Sequence, residues 1–166
     1  MATRELRTRR SARSTKSGHA VIETTLLAPW IFFLFVGVLD FGFYAYALIS
    51  TENAARVSAL YAASTGSLAA DAHGACEYVV KEMRPLPNVG GSTSCPASCT
   101  GACTAGPLTV RARALDGVGG RPLGVDGRPA AEVSVTYQTI TMIPIPGLLA
   151  ASLNMTRTVQ MRIVDN

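Results

Sequence analysis

Four cysteines are the side chains of this sequence best suited to covalent chemistry, and they lie at Cys76, Cys95, Cys99 and Cys103. An even number of cysteines in a small domain is typical of disulfide bonds when the compartment is oxidising. Four cysteines can pair in three ways, and their spacing does not choose among them. The alternative is a metal or iron–sulfur site on the C-x3-C-x3-C run. No histidine lies near that run, so we expect two disulfides, no metal and no cofactor.

Candidates for acid–base or nucleophilic catalysis are few. His19 and His73 are the only histidines, and a long apolar segment separates them. Serines are plentiful, but no acid–histidine pair can be assigned beside one of them. Gly117-Val118-Gly119-Gly120 lacks the Lys-Ser/Thr ending and the following helix of a phosphate loop, so it predicts a turn. The sequence therefore indicates a protein that is not an enzyme.

A long apolar segment separates His19 from His73 and the four cysteines. It covers residues 24–49, which contain a single charge, Asp40. As a helix it would be roughly 39 Å long, more than the hydrocarbon core of about 30 Å. If Glu23 lies near the inner face, Asp40 falls about 25 Å further along, close to the outer interface. Tyr44 and Tyr46 then fit an interfacial aromatic belt. The segment predicts a single transmembrane helix.

Two residues inside this span each allow two interpretations. Pro29 removes the hydrogen bond to the carbonyl of Thr25, which predicts a kink or local melting, or it is a proline that a membrane helix tolerates. Asp40 is either a charge that binds a partner within a helical bundle or the outer end of the span.

Positive charge is concentrated before the apolar segment. Residues 1–18 hold six cations and one acid, a net charge of +5, whereas residues 19–166 hold nine cations and ten acids. A basic cluster before an apolar span is expected to stay in the cytoplasm, so the C-terminal end should cross outward. The rival interpretation is a DNA-binding arm. We expect no nucleic-acid partner, because no basic, aromatic-rich surface appears elsewhere.

Beyond the membrane, frequent small residues and good helix formers predict that the helix continues to about Ala63. A second helix is predicted over residues 68–83, where apolar side chains recur at spacings of three or four, and Pro85 follows its end. Residues 84–107 are rich in Pro, Gly, Ser and Cys, which predicts an irregular loop stapled by disulfides.

Three later stretches alternate apolar and polar residues with period two, at residues 108–114, 133–138 and 153–163. Arg157 is the one charge that falls on an apolar position. Such alternation predicts half-buried strands in a small antiparallel sheet. The proline rules place Pro144-Ile145-Pro146-Gly147 outside any ladder. The predicted fold is α+β: a long N-terminal transmembrane helix, a second short helix and a three- to four-stranded antiparallel sheet.

Several motifs in the first third of the chain together resemble one family. Gly18, four mostly apolar residues and Glu23 before a hydrophobic helix form the processing signature of type IV prepilins. With Pro29, Asp40-Phe41-Gly42 and Asn53-Ala54-Ala55-Arg56, the chain resembles the TadE-like pseudopilins of tight-adherence (Flp-type) pilus systems. The close resemblance covers about residues 18–63, and the remainder agrees in outline.

The resemblance implies specific roles and partners. Prepilin peptidase would cleave after Gly18, whose missing side chain lets the backbone enter the protease, and His19 would become the new N-terminus. Glu23 would pair with the N-terminal amine of a neighbouring subunit and set axial register; the alternative is a solvated interfacial acid. Thr24-Thr25 replaces the aromatic or aliphatic residue more usual in the family, which bears on processing efficiency. Other implied partners are further pilins or pseudopilins and the inner-membrane pilus assembly platform.

We therefore predict a cleaved basic leader at residues 1–18, a transmembrane and extended helix at 19–63, and an exported, disulfide-stapled α+β domain at 64–166. The predicted protein is a minor pilin or pseudopilin of a Flp/Tad pilus, involved in adhesion and surface colonisation. It would be anchored in the inner membrane, with a cytoplasmic N-terminus and a periplasmic or extracellular C-terminal domain. The alternatives are a secreted domain released by signal peptidase after Ala45-Tyr46-Ala47, and an uncleaved membrane-anchored sensor or adhesin whose sheet binds a ligand.

Overall fold

The computed structural model of the protein describes residues 16–140 and 152–164. Its elements, in chain order, are helix α1 (Lys16–Ala63), helix α2 (Ala72–Met83) and strands β1 (Ala102–Ala105), β2 (Leu108–Leu115), β3 (Ala130–Gln138) and β4 (Asn154–Arg162). Short 3-10 turns lie at Gly66–Leu68 and Val118–Gly120. The predicted α+β class is confirmed, with a long N-terminal apolar helix, a second short helix and a small antiparallel sheet.

The chain separates into two compact units, Met1–Phe41 and Gly42–Asn166, and the division falls inside α1. The described part of the first unit is helical throughout. The second unit holds the rest of α1 together with α2 and the sheet. Helix α1 ends at Ala63, where the sequence places its end, while the three predicted segments, 1–18, 19–63 and 64–166, stay predictions.

The sheet is a meander in which each strand pairs antiparallel with the next one in sequence, in the order β1-β2-β3-β4. The register places Val110 opposite Val135 and Val133 opposite Val159. Along β2 and β3 the apolar residues of one face are buried, as period-two alternation requires. The three strands predicted from alternation are therefore confirmed.

Strand β1 lies within residues 84–107, which the sequence predicts to be irregular. It has only four residues, of which Cys103 and Ala105 are buried. Gly106, at φ +55°, turns the chain directly into β2, and each residue of β1 pairs with a residue of β2. Pairing across this hairpin, rather than the composition of β1, makes it a strand.

Helix α2 begins at Ala72, four residues later than predicted. The carboxylate of Asp71 caps it, since Oδ1 accepts the backbone N–H groups of His73 and Gly74, each at 3.1 Å. The stretch Gly66–Leu68 forms a 3-10 turn instead. The predicted end at Met83 is confirmed.

The core lies among the C-terminal part of α1, α2 and the inner face of the sheet. Every buried side chain that α1 contributes from residue 47 onward is small: Ala47, Thr51, Ala54, Ala55, Ser58, Ala59, Ala62 and Ala63. The hydroxyls of Thr51 and Ser58 each donate to the carbonyl four residues earlier at 2.7 Å, so burial leaves neither unsatisfied. Larger side chains from α2 and the sheet, such as Met83 and Tyr137, fill the remaining space.

Helices α1 and α2 meet closely at Gly74. The hydroxyl of Tyr61 donates to Oδ2 of Asp71 at 2.8 Å, and the Tyr61 ring lies 4.8 Å from that of Tyr78. A Cβ atom at Gly74 would overlap the Tyr61 hydroxyl and would lie 2.5 Å from Oδ2 of Asp71. This close approach accounts for a glycine inside a helix.

The charge of Arg157, which interrupts the apolar side of β4, has a partner on α1. Its Nε atom lies 3.7 Å from Oε2 of Glu52, and Oε1 of Glu52 lies 3.1 Å from Nε of Arg56. The N–H of Val164, just after β4, donates to the carbonyl of Ala63 at 3.2 Å. The last strand is thus tied to the first helix.

All four cysteines form disulfides, Cys76–Cys95 and Cys99–Cys103, which is one of the three pairings that the sequence leaves open. The first joins α2 to the loop that follows it, and the second closes the loop before β1. Because no thiol is free, the C-x3-C-x3-C run has no thiolate for a metal. The predicted loop at Pro144-Ile145-Pro146-Gly147 lies outside the described residues.

Candidate functional site

The residues that the sequence singles out for processing lie at the start of α1. The structure describes α1 from Lys16 onward, so Gly18 and His19 both lie within helical backbone at the described N-terminal end of α1. A protease that cuts the Gly18–His19 bond must therefore open this backbone locally.

Glu23 and His19 are both exposed on α1, one turn apart. Within residues 19–140 and 152–164, whose side chains the structure describes, no cation lies within ion-pair distance of the Glu23 carboxylate. The structure places Glu23 beside the predicted new N-terminus of its own chain and leaves the carboxylate open on the helix surface.

Thr24 and Thr25, which depart from the family pattern, both have hydroxyls that are hydrogen-bonded within α1. Oγ1 of Thr24 donates to the carbonyl of Ala20, and Oγ1 of Thr25 to that of Val21, both at 2.8 Å. A hydroxyl bonded inside its own helix is much less costly to place in lipid than a free one. These residues therefore do not disqualify the segment as a membrane helix.

Helix α1 continues through Pro29 without interruption. The local melting that Pro29 allows is thus not observed, although the carbonyl of Thr25 still lacks the N–H that a residue other than proline would supply. Asp40 is half-buried, and its Oδ2 atom is buried without a hydrogen-bond partner in the described part of the chain. Phe41 is exposed, and the space around Gly42 is open.

Nearly all of the bulky apolar surface of α1 before Gly42 is exposed. The exposed large side chains are Val21, Ile22, Leu26, Leu27, Trp30, Ile31, Phe32, Phe33, Leu34, Phe35, Val38, Leu39 and Phe41. Soluble proteins rarely expose a contiguous apolar patch of this extent to water. In the described residues α1 is the one helix long and apolar enough to cross a membrane, and such a surface requires lipid or other apolar helices around it.

From Tyr46 to Ala63, α1 has two contrasting faces. Its fully buried residues are all small, while larger apolar side chains point outward at Tyr46, Ile49, Val57 and Leu60. Their spacings of three, eight and three residues keep them along one side of a helix. Sequence patterns predict the helix here but did not reveal this division between its faces.

Other groups that could carry chemistry serve the fold. Nδ1 of His73 lies 2.9 Å from the carbonyl oxygen of Pro96, and its Nε2 lies 3.6 Å from Glu77. The hydroxyl of Tyr137 donates to Oδ1 of Asn88 at 2.6 Å, and burial raises the pKa of that tyrosine. In the part of the chain that the structure describes, no three His, Cys, Asp or Glu side chains are grouped to hold a metal.

Comparison with known proteins identifies the first part of the chain. A family model described as TadE-like protein matches residues 18–60. The resemblance stated from the motifs is therefore confirmed over these residues, which include Gly18, Glu23, Pro29 and Asp40. Neither the curated proteins nor the solved structures contain a match to this chain.

Proposed function

Because residues 18–60 match the TadE-like family, we propose that this chain is a minor pilin or pseudopilin of a Tad (Flp-type) pilus. In this proposal α1 anchors the protein in the inner membrane, the second unit is exported, and the assembled pilus serves adhesion. The observation that carries the proposal is the form of α1. It includes Gly18, exposes Glu23, and then presents an apolar surface longer than a bilayer requires.

The first step is cleavage after Gly18 by prepilin peptidase. Gly18 and His19 lie in helical backbone, so cleavage requires local opening of the helix at this bond. The basic residues 4–16 are held at the cytoplasmic surface, which puts the Gly18–His19 bond near the membrane interface. Cleavage would leave α1 with a new amine at His19.

The second step is lateral docking of the cut helix. An exposed carboxylate at the membrane edge is unfavourable alone, and a free amine is its natural partner. Since Glu23 has no cation beside it among the described side chains, it is open to the amine of a neighbouring subunit. Asp40, near the other end of the span, is the second charge that we propose to meet a partner. Its buried Oδ2 atom has no hydrogen-bond partner among the described residues.

The third step is packing of neighbouring apolar helices along α1. Past Ile49 the helix extends for a further 14 residues, about 21 Å, and Val57 and Leu60 remain exposed there. Lipid does not cover that part if residues 24–49 span the bilayer. Other pilins or pseudopilins and the assembly platform are the partners that would cover it.

The rival cut by signal peptidase after Ala45-Tyr46-Ala47 is disfavoured. Ala47 is fully buried inside continuous helix, and its carbonyl accepts the hydroxyl of Thr51. A cut there would also remove residues 18–47 of the family match, which covers residues 18–60.

The experiment that tests the proposal is N-terminal sequencing and intact-mass measurement of the protein extracted from membranes. We expect a chain that starts at His19. A start at Leu48 would support a secreted domain, and an intact N-terminus would support an uncleaved anchored protein; either result overturns the proposed processing.

Two substitutions separate processing from assembly. Gly18→Leu should leave the full-length precursor, because a bulky residue blocks the protease. Glu23→Ala should still be cut, yet should lose pilus assembly, since the carboxylate acts only after cleavage. Glu82→Ala, which removes an exposed acid on α2, is the matched control. This variant should be cleaved normally and should assemble pili normally. Normal piliation with Glu23→Ala would remove the pairing step.

A further inference from the structure

The outer face of the sheet carries polar side chains aligned in rows across the strands. One row consists of four threonines, one from each strand: Thr104, Thr109, Thr136 and Thr156. In the next row Arg111 stands beside Ser134, which stands beside Thr158. Neighbouring strands are about 4.8 Å apart, so the rows form a flat array of hydroxyl groups.

A third row fixes a second arginine in place. Glu132 accepts two hydrogen bonds. Nε of Arg113 donates to its Oε1 atom at 2.5 Å, and Nε2 of Gln160 donates to its Oε2 atom at 2.6 Å. Both carboxylate oxygens are therefore engaged. Arg113 keeps its two terminal amino groups for a further acceptor, because only its Nε is used.

Part of the second and third rows lines a cleft of about 410 Å³ on the sheet surface, bordered by Gly101, Arg111, Arg113, Glu132, Ser134 and Thr158. The threonine row adjoins this cleft. Arg111 is exposed and has no acidic partner among residues 19–140 and 152–164. It lies two residues from Arg113 on the same strand face, roughly 7 Å away. The cleft thus contains two guanidinium groups, of which Arg111 is free and Arg113 is paired, and one carboxylate, Glu132. The resulting excess of one positive charge makes the cleft a site for an anion.

The hydroxyl groups around the two arginines are only partly occupied. Thr136 and Thr156 are bonded to each other at 2.9 Å, and Thr158 donates to Ser134 at 3.1 Å. Each hydroxyl can donate once and accept twice, so every pair retains capacity for a ligand. Within the described strands this face carries no aromatic side chain, so hydrogen bonds and charge must provide recognition in place of ring stacking.

We propose that this cleft binds a carboxylated polysaccharide, with Arg111 holding the carboxylate of a uronic acid unit. A planar guanidinium matches a carboxylate through two parallel hydrogen bonds. Arg113, whose charge Glu132 balances, offers its terminal amino groups as further donors, and the Ser134–Thr158 pair with the adjoining threonine row bonds the sugar hydroxyls. A uronate chain combines both groups in every unit, which a neutral glycan or an acidic peptide does not. This proposal goes beyond the pilus assignment and does not depend on it.

The test measures binding of three polymers to the purified full chain in detergent micelles by isothermal titration calorimetry. Polygalacturonate carries carboxylates and sugar hydroxyls, dextran carries hydroxyls alone, and polyglutamate carries carboxylates alone. We expect polygalacturonate to bind at least about tenfold more tightly than either of the others. Arg111→Ala should weaken that binding about tenfold, the effect of losing one charge-assisted pair. Arg111→Lys, which keeps the charge, should weaken it less.

Arg128→Ala is the matched control, because it removes the same charge from an exposed loop residue outside the cleft. It should change the affinity by less than about twofold, within the range of a neutral surface substitution. The double variant Ser134→Ala/Thr158→Ala should lose affinity for polygalacturonate and leave the weaker polyglutamate binding as it was. Equal effects of Arg111→Ala and Arg128→Ala, equal binding of dextran or polyglutamate, or no binding of polygalacturonate would each overturn the proposal.

Discussion

Several single residues that the sequence leaves unexplained have definite partners in the structure. Arg157 breaks the alternation of β4 because it meets Glu52 of α1. Gly74 weakens the helical pattern of α2 because Tyr61 approaches its backbone. In both pairs the two residues belong to different elements. The local sequence pattern therefore shows that Arg157 and Gly74 are unusual, but it does not show which residue each one contacts.

The contact at Gly74 predicts the sign of one substitution. Glycine to alanine inside a helix normally stabilises by about 0.5–1 kcal/mol. At Gly74 the new methyl group would overlap the Tyr61 hydroxyl and crowd the Asp71 cap, so Gly74→Ala should instead destabilise by about 1–3 kcal/mol. Denaturant unfolding of the full chain in detergent measures the difference. Gly66→Ala, with open space around the new methyl group, is the control and should be nearly neutral. A more stable Gly74→Ala variant would contradict the close contact.

A second prediction concerns pH and Glu132. Burial alone would raise the pKa of this carboxyl, but the hydrogen bonds from Arg113 and Gln160 outweigh it and hold the pKa below its ordinary value of 4.5. A group whose folded pKa is lowered stabilises the fold above its unfolded pKa and loses that contribution as the pH falls through the folded value. The free energy of unfolding should therefore decrease below about pH 4.5, and Glu132→Gln should flatten part of that decrease.

Unfolding measured from pH 7 downward checks this effect, with Glu82→Gln as the control because Glu82 is exposed. Asp71, whose pKa is lowered chiefly by the N–H of Gly74, should supply part of the pH dependence that remains in Glu132→Gln. The same acid sensitivity in Glu132→Gln as in the unaltered protein would mean that the Arg113–Glu132–Gln160 row contributes nothing to stability.

Among the elements, those with long periodic patterns could be predicted and the short ones could not. Residues 24–49 and the alternating strands carry enough repeats to identify a helix and a sheet. Strand β1 has four residues and exists through its hairpin with β2, and the start of α2 is decided by the single capping side chain of Asp71. For the candidate site, the resemblance to the prepilin processing signature singled out Gly18 and Glu23, whereas the small inner face of α1 required the packed structure.

The two disulfides should contribute unequally to stability. Cys76–Cys95 spans 19 residues and Cys99–Cys103 spans 4. Loop-closure entropy then predicts losses of about 3 kcal/mol and about 2 kcal/mol when each bond is removed. Denaturant unfolding of Cys76→Ala/Cys95→Ala and of Cys99→Ala/Cys103→Ala compares them, each double variant serving as the control for the other. A greater loss from the shorter loop would show that packing at Cys99 and Cys103, rather than chain entropy, sets the contribution.

At the scale of the whole molecule, the exposed side of α1 predicts a substitution that affects association without affecting folding. Leu60 is 66% exposed and lies beyond the predicted span. Leu60→Glu should change the unfolding free energy by less than about 0.5 kcal/mol, yet it should reduce crosslinking to other pilus subunits in cells. Val125→Glu places the same charge at a residue that is 96% exposed in a loop and should leave crosslinking unchanged. Undiminished crosslinking of Leu60→Glu would exclude this side of α1 as a partner surface.

The order of the strands has a consequence for the proposed export of the second unit. Each strand pairs with the one synthesised just before it, so a chain threaded through a translocation channel from its N-terminal end could form the sheet as it emerges. The last strand must also return to the first helix, where Arg157 meets Glu52 and Val164 meets Ala63. Arrival of that strand would mark the completion of vectorial folding.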